Sequence, residues 1–276
     1  LRLDDKENLP ISIIVGDVNG LKLTNDIFGH DFGDMMLKRI AKVLLAISRP
    51  GDIVARWGGD EFALLLPKTD KDEAENMAQK IKKAIAEQQI RSIRCSISLG
   101  YETKSMMHED IQSIFGQAET QMYSLKTLEH QAVQIFELNT VLNSLFDNSE
   151  LERQHSLQVS AKCGQLGRAL GLSRPDIHKL QEAGRLHDIG KIVMALPLLQ
   201  KDHLNAAEKK RMNQHPLIGY RILNYFDETI ELANIVLAHH ENWDGTGYPK
   251  GLKDEEIPFL ARILAVVEAY DRMLHG

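Results

Sequence analysis

Apolar residues along this chain change their period once, near residue 137, and the change divides the chain in two. Before it, short β-branched runs alternate with amphipathic stretches. Ile11-Ser12-Ile13-Ile14-Val15 is such a run and ends at Gly16-Asp17, which predicts a buried central strand with a carboxylate at its tip. Phe32 to Ile47 has helical spacing through Met35, Met36, Ile40, Val43, Leu44 and Ile47. Ile53-Val54-Ala55 and Phe62 to Leu66 read as two strands joined by Arg56-Trp57-Gly58-Gly59-Asp60-Glu61, a hairpin whose turn carries two acids. Lys71 to Gln89 reads as an amphipathic helix, Ile93 to Leu99 as a strand, and Ala132 to Phe136 as a closing edge strand. Leu138, Val141, Leu142 and Leu145 then return to helical spacing with no Pro/Gly-rich break, so a fairly rigid helix is expected at the joint. From Leu151 onward the pattern is helical almost throughout, with Gly171 and Pro175 as stops, and an all-α bundle is expected.

At 276 residues the chain has room for two ordinary cores. Its 43% hydrophobic and 26% charged residues are those of a globular protein, and a net charge of −6 argues against a nucleic-acid polymer as ligand. Cys95 and Cys163 lie far apart without metal-ligand spacing, so a reduced, cytoplasmic setting is expected. No run reaches the length of a membrane helix, and no signal peptide is visible. The first residue is Leu1 rather than Met, so the chain is expected to be a fragment, with any sensor or membrane anchor outside it.

The strongest chemical signal is His239-His240 ahead of Glu241-Asn242-Trp243-Asp244-Gly245-Thr246-Gly247-Tyr248-Pro249. Imidazole is costly to bury unless its nitrogens find partners, and metal coordination supplies one. His155, His187-Asp188, His215 and Glu268 complete a donor set large enough for two metal ions, of a kind that suits Fe, Mn or another divalent transition metal. From His155 to the last residue this ordered set resembles the HD-GYP family of metal-dependent phosphodiesterases. The resemblance implies that His155, His187, Asp188 and Glu268 surround one metal. Asp188, His215, His239 and His240 would surround the other, with Asp188 bridging. Lys191 would place its ammonium on a phosphate, and Tyr248 would stack on a guanine of cyclic di-GMP. Glu268 stands where the family has Asp, and Leu151 where members with a third metal carry Glu, so two metals are expected. The chain also stops before the family's arginine-containing C-terminal segment.

Asp17, Asn25, Asp26, Gly29-His30, Gly33-Asp34 and Arg56-x-Gly-Gly-Asp-Glu-Phe together resemble the GGDEF domain of diguanylate cyclases over residues 1–137. By that resemblance Asp17 and Asp60 hold Mg²⁺ (or Mn²⁺) against GTP, Asn25 and Asp34 read the guanine edge, and Lys126 holds triphosphate oxygens. Glu61 would assist at the metal or the attacking hydroxyl. Arg49-Pro50-Gly51-Asp52 matches the family's inhibitory site for cyclic di-GMP. Synthesis joins two GTP, so it implies a homodimer. Three departures stand out: Glu129-His130-Gln131 replaces Gly-Arg-Asn, Asn19 replaces a frequent second acid, and the opening helix is absent.

The expected architecture is therefore an α/β, palm-like nucleotidyl cyclase domain over 1–137, a helical linker over 138–150 and an all-α HD-type bundle over 151–276. The expected function is cyclic di-GMP signalling in a bacterium, first as a phosphodiesterase. The alternatives are a diguanylate cyclase and a catalytically silent sensor of cyclic di-GMP or GTP.

Overall fold

The computed structural model describes residues 5–90, 93–201 and 203–275; the side chains of 129–133, 136, 148 and 275 lie outside that description. The chain divides into two compact units, Leu1–Glu137 and Leu138–Gly276.

The first unit runs β1 (Ile11–Asn19), α1 (Leu21–Phe28), α2 (His30–Ile47), β2 (Ile53–Arg56), β3 (Glu61–Pro67) and α3 (Lys71–Ala86). A ribbon of β4 (Gln89–Ile90) and β5 (Ile93–Arg94), then β6 (Ser96–Lys104) and α4 (Ile111–Asn148), complete it. The main sheet has the order β2-β3-β1-β6 and is antiparallel throughout. β1 takes the centre because its residues are apolar on both faces, and all but Asn19 are buried. α4 lays Ile114, Ala118 and Met122 on Ile13 and Val15 of that strand. α3 starts at a capping box in which Asp70 and Glu73 satisfy each other's backbone N–H groups.

Two expected strands come out differently. The one expected over Ile93 to Leu99 splits: Ile93 and Arg94 enter the small ribbon, and the edge strand of the main sheet runs from Ser96 to Lys104. Ala132 to Phe136, expected as a closing strand, lies inside α4. From Gln117 to Asn148 the sequence holds neither Gly nor Pro. Nothing there interrupts the i→i−4 ladder, and a short apolar run does not by itself distinguish strand from helix. Residues 138–148, expected in the linker, are the end of this helix; Val141, Leu142 and Leu145 are buried and cluster with the second unit.

Ser149 then caps α5 (Glu150–Ala169), its Oγ accepting from the Glu152 N–H. α6 (Arg174–Leu186), the short α7 (Leu196–Leu199) and α8 (Ala206–Met212), α9 (His215–Leu223), α10 (Ile230–Leu237) and α11 (Phe259–His275) follow, with no strand among the described residues. α5 packs on α6 and α11; α9 packs on α10 and on the 3₁₀ turn Ile189–Val193. At that second contact Gly190 is required, because a Cβ there would lie 2.0 Å from the His215 carbonyl oxygen. Among the described residues no helix is long and apolar enough to cross a membrane.

Candidate metal centre and nucleotide site

In the second unit the donor residues come from helix ends and helix faces that converge. His155 is on α5, His187 and Asp188 follow α6, His215 opens α9, His239 and His240 follow α10, and Glu268 is on α11. His187 and Asp188 are fully buried, and His215, His239 and Glu268 nearly so. Their ligand atoms form two groups, each within 4.8 Å: His155 with His187 and Asp188, and His215 with His239 and His240. Asp188 sits between the groups, with Oδ1 3.2 Å from His215 Nε2 and Oδ2 3.0 Å from His187 Nε2. Glu268 comes closest to the second group, its Oε2 3.7 Å from His240 Nδ1.

The backbone fixes how three of these rings point. Nδ1–H of His187 donates to the Gly184 carbonyl (2.8 Å), that of His215 to Met212 (2.8 Å) and that of His239 to Val236 (2.5 Å). A carbonyl only accepts, so Nδ1 carries a proton in each ring, and wherever the ring is neutral its Nε2 carries a lone pair. The Nε2 atoms of His215 and His239 then face each other at 3.2 Å with no proton to share. Burial pushes the His215 imidazolium down to about 3 and holds His239 below its ordinary value, so these rings are neutral. At His187 burial acts the same way, but Asp188 and then Glu268 outweigh it and hold the ring up at about 9. His155 is oriented differently, by the Asp271 carboxylate, which accepts from Nδ1 at 2.6 Å and also pairs with Lys162.

Nε2 of His155, His187 and His240, both Asp188 oxygens and Glu268 Oε1 are buried without a hydrogen bond, although Asp188 Oδ2 has an ion pair with Lys191 and Glu268 Oε1 one with Arg272. Orphaned groups of that kind are expensive. Every one is a ligand-type atom, and imidazole with carboxylate is the donor set of divalent transition metals, so the residues fit such ions.

Several neighbours escaped the sequence reading. Glu152 precedes His155 by three residues, which puts both on one face of α5. Its two oxygens accept from Lys191 Nζ at 2.9 and 3.0 Å, and the same ammonium lies 2.8 Å from Asp188 Oδ2. Glu241, buried after the two histidines, accepts the backbone N–H groups of Lys250 (2.7 Å) and Leu252 (3.0 Å) and so closes the glycine-rich loop. Tyr248 in that loop stacks on His240 at 4.8 Å. Both line a cavity of about 730 Å³, together with Glu268, Arg272 and Lys209. Trp243 and Phe259 flank the Arg262 guanidinium, which braces the loop against α11.

In the first unit Asp17 and Glu61 are partners across β1 and β3, and the Val18 N–H donates to the Asp60 carbonyl. Lys126 Nζ donates to Asp17 Oδ1 at 2.6 Å, and Tyr123 Oη to Glu61 Oε1 at 3.1 Å. Burial still holds the Asp17 carboxyl above its ordinary value despite Lys126. Asn25 Oδ1 is buried without a partner and lies against Gly33, next to the exposed Asp34. Arg56 ties the turn by donating to the Gly59 carbonyl. The Arg49 N–H donates to Asp52 Oδ2, while the Arg49 guanidinium approaches Glu73 at 3.6 Å. The side chain of His130 lies outside the described residues.

An antiparallel α/β domain with acids at its strand ends thus precedes a helical domain built around a histidine-rich centre. Residues 1–131 match the family described as diguanylate cyclase, GGDEF domain, and residues 139–276 match the HD domain. The chain belongs to the HD-domain family and carries a GGDEF domain ahead of it. It is similar to a cyclic di-GMP phosphodiesterase of Thermotoga maritima, 40% identical over 146 residues, which cover 51% of this chain and 39% of that protein. Its likeness to diguanylate cyclase DgcM of Escherichia coli K12 is 35% over 116 residues, 42% of this chain and 28% of the relative. For 3'3'-cGAMP-specific phosphodiesterase 2 of Vibrio cholerae it is 34% over 122 residues, 43% and 23%. The chain therefore spans less than half the length of each of these curated relatives.

Proposed function

We propose that the second unit is a two-metal phosphodiesterase that opens cyclic di-GMP to pGpG and then GMP. One observation carries this reading: two adjoining groups of His and Asp donors, their ligand atoms within 4.8 Å of one another in each group, with those of His155, His187, Asp188 and His240 buried without a hydrogen bond. His155, His187, Asp188, His215, His239, His240 and Glu268 would hold the ions, with Asp188 shared. Bound metals would supply Lewis acidity and lower the pKa of the water that attacks phosphorus. The chain's own residues do the rest. Asp271 and three carbonyls hold the rings in register. Lys191 keeps a positive charge beside Asp188, and Tyr248 on His240 offers an aromatic face to a guanine.

A second reading applies to the first unit, where Asp17, Asp60 and Glu61 gather at adjacent strand ends with Lys126 at hand. There Asp17 and Asp60 would hold Mg²⁺ against GTP, Asn25 and Asp34 would read guanine, and two copies of the chain would meet to join two nucleotides. Arg49 and Asp52 would bind the product.

The deciding experiment is turnover by protein purified anaerobically and supplied with Mn²⁺ or Fe²⁺, with nucleotides followed by chromatography. Cyclic di-GMP and 3'3'-cGAMP are offered separately, and GTP in a third reaction. The expected outcome is pGpG or GMP from cyclic di-GMP, abolished in His187→Ala/Asp188→Ala. No product from cyclic di-GMP, with metal bound, overturns the hydrolase reading; dinucleotide formed from GTP supports the second.

A further inference from the structure

Ser149 and Glu152 stand three residues apart at the start of α5, the spacing of a capping box, in which the acid turns back to the backbone N–H of the capping serine. Only half of that box forms. Ser149 Oγ accepts from the Glu152 N–H, but the Ser149 N–H donates to the carbonyls of Leu145 and Phe146. The Glu152 carboxylate turns inward instead, to Lys191, with only 12% of its side chain exposed and 10% of the lysine's. A largely buried ion pair adds little to stability, because desolvating both charges offsets their attraction. Neither capping nor stability accounts for the pair.

Its geometry supplies a reason. Both Glu152 oxygens accept from Lys191 Nζ, at 2.9 and 3.0 Å. An ammonium has three N–H donors, so one carboxylate fixes its direction and still leaves a donor over. The ammonium lies 2.8 Å from Asp188 Oδ2, yet that oxygen has no hydrogen bond. Lys191 is thus held at the ligand expected to be shared by two ions, with a donor to spare. Metals on Asp188 would draw that carboxylate's charge to themselves, and Glu152 would then be what keeps the ammonium in place.

We propose that Glu152 is a positioning residue, which anchors the Lys191 ammonium beside Asp188 so that its spare N–H meets a phosphate oxygen of the substrate. The inference rests on the phosphodiesterase reading and adds to it the residue that aims the lysine.

The test uses the whole chain loaded with Mn²⁺: wild type, Glu152→Gln, Glu152→Asp, Lys191→Met and the double variant Glu152→Gln/Lys191→Met. Metal per chain, the calorimetric Kd of GMP, and kcat and KM for cyclic di-GMP are measured. Glu152→Gln is expected to keep its metal and to bind GMP no more weakly, because the cation stays and loses its counter-charge. Its kcat should fall about ten- to a hundredfold through misplacement of the ammonium. Glu152→Asp, still charged but one methylene shorter, should lose kcat likewise. Lys191→Met should weaken GMP binding about tenfold or more. In that background the Glu152 change should have no further effect, since a residue acting through Lys191 has nothing left to aim. The double variant leaves no buried charge unpaired, so its folding does not depend on the pair. Loss of metal in Glu152→Gln, equal effects with and without Lys191, or unchanged kcat in both Glu152 variants overturns the role. A wild type that holds metal but yields no product from cyclic di-GMP overturns the phosphodiesterase reading itself, and this inference with it.

Discussion

At the scale of single residues, Asp271 makes the sharpest prediction. Its carboxylate holds the His155 ring by Nδ1 and is itself held by Lys162. Partners that orient a ligand ring affect metal affinity even though they do not touch the ion. Asp271→Ala is expected to weaken metal binding about 10- to 100-fold, read by competition with a chelating dye. Unchanged affinity would mean that α5 alone positions His155. Glu137 offers a second prediction, concerning stability in the first unit. It lies against Gly20, and burial pushes its carboxyl from 4.5 up to about 7, with Lys126 opposing. Such an acid is fully accommodated only when protonated. Its contribution is intact below about pH 4.5, falls as pH rises to about 7, and is flat beyond. Glu137→Gln should therefore raise the free energy of unfolding at pH 8, by at most about 3 kcal/mol and read as a higher denaturation midpoint, and not at pH 4. The ligand-type residues were legible in the sequence because histidines and acids are conspicuous in an apolar helical pattern. Glu152 and Arg272 were not: a charged residue on a helix reads as solvated surface until the fold shows what faces it.

Among elements, legibility depended on what interrupts them. β1 could be read from its unbroken apolar run and α3 from its amphipathic stripe, because nothing outside those segments competes for them. The end of α4 could not, since Ala132 to Phe136 suits either period and only its uninterrupted helical flanks decide. The contact of α9 with the turn after Asp188 was equally hidden, because a lone glycine does not announce its neighbour. That contact is testable. Gly190→Ala would drive a methyl into the His215 carbonyl, and there is no flexible side chain to yield. It should cost about 1–3 kcal/mol and displace His215, lowering metal content as well as melting temperature. Gly116→Ala on α4 is the control, with open space around it, and should be neutral or slightly stabilising. Equal effects of the two substitutions would mean that Gly190 is not held by its contact.

For the whole molecule, the division at residues 137 and 138 makes metal a local stabiliser. Among the described residues, the buried His, Asp and Glu atoms without a hydrogen bond belong to the second unit, whereas Asp17, the buried acid of the first unit's site, already has Lys126. An ion bound to the folded unit alone stabilises it by about 4 kcal/mol when present at a thousand times its dissociation constant. For a unit of this size that corresponds to a shift on the order of 10 °C. Calorimetry should then resolve two transitions, of which a chelator lowers one. Asp271→Ala and Gly190→Ala should act on that same transition, and Glu137→Gln on the other. If the chelator moved both transitions equally, the units would unfold as one, and the folding energy stored in the metal centre would be shared across the chain. If it moved neither, the orphaned histidines would need an explanation other than metal.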